Sequence, residues 1–415
     1  MKANTFLMDS NTFLNILQAI FLIPLLYSLN QYIFKRIKQK HHFFDIGLVN
    51  KLFIYHLFFG GIYYIYAIFN PSDSHRYFHV PQNEEKVWLD FLGTETTIID
   101  FFSYPFINGL GFSYEMMMML FTWIGFLGFV YAYLFFKENI PLKVKVFKKV
   151  DLLTLILFLP NMHFWTASLG KGAPIFFGLM VFAYAICKPQ TRITGLIIGS
   201  LVVFAIRPHV FLILAGGAVI GFMSGNNGIS WQHRLVFFLS VIIGLFLVQD
   251  QILAVVNLQN SENLIGDFVE FTAARSASLD NAGSGVNMAG YSLPEKIFTF
   301  WFRPLFFDSP GILGLFVSVE NLIYLLLFLK LFKRNFFKFL KSAPVNVKMS
   351  LVIFLSTSFA MTFVMSNLGI IIRQKSMIMY FLFFVIYYFL ASEKDTLTNI
   401  QSKVLYSNPK LQKVA

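Results

Sequence analysis

The sequence predicts an all-α polytopic integral membrane protein with about eleven transmembrane helices, some of them short or re-entrant. Three observations predict it. Of the 415 residues, 57% are hydrophobic and only 13% charged, the composition of a chain solvated mainly by lipid. Apolar runs near the ~20 residues needed to cross a bilayer recur along its length. The basic residues fall in short clusters between those runs and not along one soluble face. The net charge of +12 therefore reads as membrane orientation, and a nucleic-acid partner is excluded.

Taken in order, the first run, 13–34, leads straight into Lys35, Arg36, Lys38 and Lys40. No basic segment precedes it and no small-residue cleavage site follows, so it reads as a span and not a cleaved leader. Further spans are expected at 47–69, 114–136, 151–165, 169–187, 193–206, 208–224, 235–256, 311–331, 349–366 and 376–391. They form one transmembrane domain, 1–391, followed by a short tail, 392–415. With the N-terminus outside and the C-terminus in the cytoplasm, 23 of the 33 Lys and Arg lie inside, in the direction of the positive-inside rule.

Two runs are interrupted. The run 151–187 contains Pro160 to Gly172 (PNMHFWTASLGKG), and 193–224 contains Arg207-Pro208-His209. Their halves either cross and return or turn back at mid-depth. Non-helical backbone at that depth is tolerated only where protein buries it or where it lines a wet cavity, so both breaks are candidate cavity walls. Two long segments fall outside, 70–113 and 257–310. In the first, Val87, Trp88, Phe91 and Leu92 recur at helical spacing opposite Glu84, Glu85 and Asp90, which predicts a short helix in the membrane interface.

Cys187 is the single cysteine, which excludes an internal disulfide. No phosphate-binding glycine loop, HExxH or nucleophile elbow occurs. The four methionines Met116 to Met119 read as packing inside a span.

The chemistry-bearing candidates gather on the expected outside. Asp73 follows the second span by a few residues, in Ser-Asp-Ser-His-Arg-Tyr. It can serve as a general base towards an incoming hydroxyl, hold a divalent ion, or cap a turn after Pro71. His75 and His79 are four residues apart, on one face of a helix, and with Asp73 offer three metal-capable side chains; phosphate contact or plain interface polarity is the stronger reading. No cofactor is expected, with a divalent metal as the weaker option. Lys171, Arg207, Arg303 and Arg373 are the candidate anion site, since arginine forks and lysine point charges pair with phosphate oxygens. His75, Arg76, Tyr77, His79, His163, Trp165, His209 and Arg275 are candidate cavity lining. Lys296 and Lys375 read as snorkelling to headgroups, and Trp165 and Trp301 as interfacial anchors.

The pattern resembles the GT-C class of membrane glycosyltransferases and the related EpsG/Wzy-like bacterial polysaccharide polymerases. The resemblance rests on a span followed by an outside loop opening D-x-x-x-Y (Asp73, Tyr77). It rests also on the break P-x-x-x-F-W-x-x-x-x-G-K (Pro160, Phe164, Trp165, Gly170, Lys171) and on Arg207-Pro208-His209. It covers residues 47–225, and the remainder by topology alone. It implies a polyprenyl-(pyro)phosphate-linked sugar donor, a glycan or lipid acceptor, and a catalytic carboxylate in the first outside loop, here Asp73. It also implies a multi-pass protein of the bacterial inner membrane, in contact with membrane lipids. An extra span before that loop and the lack of a soluble C-terminal domain depart from the GT-C plan and favour the polymerase-like relatives. A transporter or flippase of a lipid-linked glycan, or a non-catalytic component of such a complex, are the alternatives.

Overall fold

The computed structural model describes residues 10–224, 290–309, 311–364 and 367–407, with scattered positions between 231 and 288. Most of the expected span 235–256, Arg275 and most of segment 257–310 lie outside the described residues. Within the described residues the protein is helical, apart from a two-residue antiparallel ladder of β1 (Lys145–Val146) with β2 (Val150–Asp151).

The long helices are α1 (Ser10–Lys40), α2 (Ile46–Phe69), α5 (Tyr114–Asn139), α12 (Gly311–Phe328), α14 (Val345–Val364) and α15 (Leu368–Ser407). Each carries a stretch long and apolar enough to cross a membrane. Four shorter apolar runs accompany them: α6 (Leu152–Leu157) with α7 (Pro160–Thr166), then α8 (Gly172–Ile186), α9 (Ile193–Ile206) and α10 (Pro208–Ser224). Among the described residues there are six helices of crossing length, where about eleven spans were expected along the whole chain, and the other described apolar runs are short. α15 also runs on to Ser407, past the expected tail boundary at 392.

Local chemistry explains the helix starts. Asp45 accepts the Leu48 N–H at 3.0 Å ahead of α2, Ser113 the Met116 N–H at 3.3 Å ahead of α5, and Asp151 the Thr154 N–H at 3.0 Å ahead of α6. The 151–165 run breaks because Pro160 opens a new helix, where its missing N–H costs nothing. Although α1 and α15 are both apolar, they differ in place. In α15, 78% of the apolar window is buried inside protein, against 11% in α1, so α15 is the central helix and α1 faces outwards.

Register between helices fixes how far the short hairpins reach. α5 and α15 run parallel, Phe135 stacking on Phe384 at 4.1 Å with Phe129 near Tyr380 and Phe136 near Tyr387. α8 also runs parallel to α5, Gly128 meeting Phe176 and Glu138 pairing with Lys188 beyond. Leu169, in the turn before α8, reaches Met118: its N–H points at the Met118 sulfur at 3.3 Å. Thr122 Oγ1 donates to Ala167 O at 3.0 Å, and Gly172 lies against Trp165 and Thr166. The feet of the turn therefore sit at the level of Thr122. That is about 12 Å along α5 from Tyr114, at 1.5 Å per residue. α2, whose Gly60 faces Thr122, extends a similar distance beyond. α9 returns antiparallel to α8, Gly199 against Phe182 and Gly178 against Val202, which brings Arg207 level with Lys171. Both hairpins turn back short of the long helices. The turn residues Ala167 and Leu169 are buried by protein.

Segment 70–113 closes over these turns. It holds α3 (Asp73–Asn83), a 3-10 turn (Trp88–Phe91), α4 (Thr97–Tyr104) and a π turn (Pro105–Gly109). The helix expected at 84–92 is only that one 3-10 turn: Phe91 is buried, and Trp88 stacks on Phe101 and donates to its carbonyl at 2.9 Å. The links after the outer helices continue with α11 (Leu293–Phe302), and α13 (Phe336–Ser342) lies at the opposite end of the molecule.

Candidate functional site

Four consecutive residues of α15 organise the site. Residues on a helix are separated by about 100°, so Arg373, Gln374, Lys375 and Ser376 point in different directions. Arg373 Nη1 donates to Asp73 Oδ2 of α3 at 3.2 Å. Gln374 Oε1 accepts from Arg207 Nη1, between α9 and α10, at 2.5 Å. Lys375 Nζ donates to Arg303 O, just after α11, at 2.6 Å. Ser376 Oγ accepts from Asn161 Nδ2 of α7 and donates to Ile372 O at 2.6 Å.

Around Arg373 the expected residues come together. Lys171 heads α8 with Glu95 at 3.9 Å, and Arg207, Arg373 and Asp73 all act on it electrostatically. His209 lies near enough to Arg207 and Lys171 to feel both charges. The Arg373 guanidinium sits 5.6 Å over the Trp165 ring, so Trp165 packs against a member of the cationic cluster. Gly170 takes φ +151°, and a Cβ there would stand 3.3 Å from the buried ring of Tyr77. Burial, and next the Asp73 charge, push the Tyr77 phenol up, which keeps it a neutral hydroxyl. Glu95 closes the group from above: it takes φ +62°, unusual for a glutamate, while its N–H donates to Ala205 O at 2.6 Å.

The arrangement is asymmetric in charge. Asp73 is 66% exposed, whereas Arg373 and Lys171 are 25% and 18% exposed. Arg207 Nε, Arg373 Nε and His209 Nδ1 are buried without a hydrogen-bond partner among the described residues. Buried polar atoms are nearly always paired, so the two orphaned guanidinium N–H donors, with the unpartnered His209 ring nitrogen near them, leave this cationic cluster able to take an anion or water. Such a cluster can hold a phosphate, with the exposed Asp73 carboxylate presented beside it.

Other expected residues lie elsewhere. Arg303 is held by Asp308, with Tyr291 and Thr299 close by, and its carbonyl serves Lys375; no contact joins it to Lys171 or Arg207 among the described residues. Arg76 grips Asp100 through two bonds of 3.0 and 3.3 Å, fastening α3 to α4. Burial pushes the Asp100 carboxyl above the ordinary carboxylate range and Arg76 opposes it. His163 does not line the cavity. It is fully buried beneath the turn, stacked on Phe129 at 3.9 Å, and its Nδ1 lies 2.9 Å from His56 Nδ1. Its Nε2 donates to Leu157 O at 2.8 Å, which makes Nδ1 the acceptor and His56 the donor of the pair. His75 bonds to Ala67 O at 2.9 Å and stacks on Tyr114, while His79 is exposed. The two histidines do not converge with Asp73, and no group of three metal-capable side chains occurs among the described residues.

The structure also corrects Lys375, which does not snorkel but is fully buried. It feels the charge of Glu320, a buried acid of α12 that sequence reasoning passed over. Glu320 accepts the Asn161 N–H at 2.8 Å and the Tyr324 hydroxyl. The signal was present: Glu320 is the only charged residue in α12, and an acid in such a helix marks a functional or structural polar site. Glu95 and Gln374 gave no comparable signal. Comparison with models of protein families, with curated proteins and with solved structures returned no match.

Proposed function

We propose that the protein transfers or polymerises sugar units from a polyprenyl-(pyro)phosphate-linked donor at the outer face of a bacterial inner membrane. The observation that carries this reading is the cluster Lys171, Arg207 and Arg373, with its orphaned buried N–H groups, beside the exposed carboxylate of Asp73. In this reading the cluster receives the donor phosphate and stabilises the negative charge that grows on it as the sugar–oxygen bond breaks. Asp73 takes the proton of the attacking acceptor hydroxyl. Arg373 holds that carboxylate through one bond and faces the phosphate with its remaining N–H groups. The level of the turns, about two helical turns inside the ends of α2 and α5, suits a headgroup entering from the bilayer with its lipid chain left in the membrane.

The test is turnover by purified protein in lipid nanodiscs supplied with labelled polyprenyl-diphosphate-linked sugar. Wild type is expected to yield a covalent glycan product, and Arg207→Gln to bind the donor at least tenfold more weakly. A second reading, transport of the same lipid-linked glycan, is favoured by one observation, the buried Glu320–Lys375–Asn161 network within the helix bundle. Movement of the labelled donor across a vesicle membrane with no covalent product would favour transport and contradict the transferase reading.

A further inference from the structure

The end of the molecule opposite Asp73 holds a second charged feature, made from three separate segments. A cavity of about 430 Å³ opens between the turn after α5, the short turn after α12, and α15 near residue 390. Lys143 and Lys145 come from the first segment, Lys330 and Lys333 from the second, and Lys394 from the third; Glu393 is the one acid in the lining. Glu393 is engaged by Lys333, and Lys394 Nζ donates to Lys143 O at 2.8 Å, which ties α15 to the first segment. Among the described residues no carboxylate pairs with Lys143, Lys145 or Lys330.

Like charges around one concavity repel, and low-dielectric walls concentrate their field, so the cavity is a strong attractor for anions. Membrane orientation alone asks only that lysines lie somewhere in these loops. It gives no reason for two loops and a helix to place them around a single cavity. The floor is apolar: Val144 and Val146 line it and are buried, and Leu390 joins them. A cationic wall over an apolar floor matches a phosphate group carried on an apolar body. The volume falls within the range of small-molecule sites.

We infer that this lysine-lined cavity is a binding site for a phosphate-bearing anion, separate from the Asp73 cluster and at the other end of α15. The phosphate comes either from an anionic phospholipid headgroup or from a soluble phosphate compound. The two sources are separated by the probes. Binding of phosphatidic acid in mixed micelles and of inorganic pyrophosphate is measured by titration on the full chain. Two triple variants are compared with wild type. One is Lys143→Gln/Lys145→Gln/Lys330→Gln. The other, Lys40→Gln/Lys338→Gln/Lys341→Gln, removes the same charge from exposed lysines outside the cavity. The expected result is at least a tenfold loss of affinity in the cavity variant and less than a twofold change in the control. Loss for phosphatidic acid alone assigns the lipid source, and loss for both probes the phosphate group itself. Equal loss in both variants, or unchanged binding in the cavity variant, overturns the inference. Pyrophosphate bound at the Asp73 cluster would survive in the cavity variant and disappear with Arg207→Gln, so failure here leaves the transferase reading separately testable. A melting temperature matching wild type shows that each triple variant is folded.

Discussion

At the scale of single residues, the site turns on contacts between positions far apart in the chain. Asp73 and Arg373 are 300 residues apart, and nothing in either neighbourhood announces the other. The chemical type of each was legible: a carboxylate just past a span, and arginines where solvation alone gives no reason for them. Their pairing was not, because it depends on the register of α15 against α5. Arg303 shows the reverse case, since a short-range partner five residues on, Asp308, takes up its charge. Glu320 was legible as a lone acid in an apolar helix, and its burial supports a stability prediction. Glu320→Ala leaves the Asn161 N–H and Tyr324 hydroxyl without their acceptor, and unpaired buried groups cost roughly 1–3 kcal/mol each. Glu320→Gln keeps one carbonyl acceptor and is expected to lose less. Thermal unfolding in detergent should rank the proteins wild type, then Gln, then Ala; an alanine variant as stable as wild type would remove Glu320 from the account.

At the scale of elements, the sequence located the helices far better than their depth. The runs 193–206 and 208–224 agree with α9 and α10 residue for residue, because Arg207-Pro208 stops one helix and starts the next. How far the hairpins reach is a property of close packing between helices, which depends on small residues on α5 and α8. Gly125 is the sharpest instance: a Cβ there would lie 2.0 Å from Thr166 O. Gly125→Ala must push α7 off α5, and overpacking of this kind costs typically ~1–3 kcal/mol. Gly61, on α2, has nothing within 4 Å of a Cβ, so Gly61→Ala is the control and should melt at or above wild type, since alanine favours the helix over glycine. Because the displaced backbone leads straight to Lys171, Gly125→Ala is also expected to weaken donor binding; Gly61→Ala is not. Equal melting and binding in the two variants would mean the α5–α7 contact does not set the turn.

At the scale of the whole molecule, the protein is a helical bundle with a cationic cluster at each of two separate places along α15. One end gathers Asp73, Lys171, Arg207 and Arg373 over buried hairpin turns; the other gathers lysines around a cavity. Composition and charge clustering foretold such a bundle but not which helix is central, since hydropathy does not separate a lipid-facing helix such as α1 from a buried one such as α15. The central claim is that Asp73, beside the cationic cluster, is the base for transfer from a polyprenyl-linked sugar. The most direct measurement is single-turnover product formation from labelled polyprenyl-diphosphate-linked sugar in nanodiscs, wild type against Asp73→Asn, with donor binding and melting temperature followed in the same samples. A general base contributes about 10²–10⁴-fold, so the account predicts at least a hundredfold slower product formation with donor affinity within a few-fold of wild type. Product formed by Asp73→Asn at the wild-type rate would contradict it.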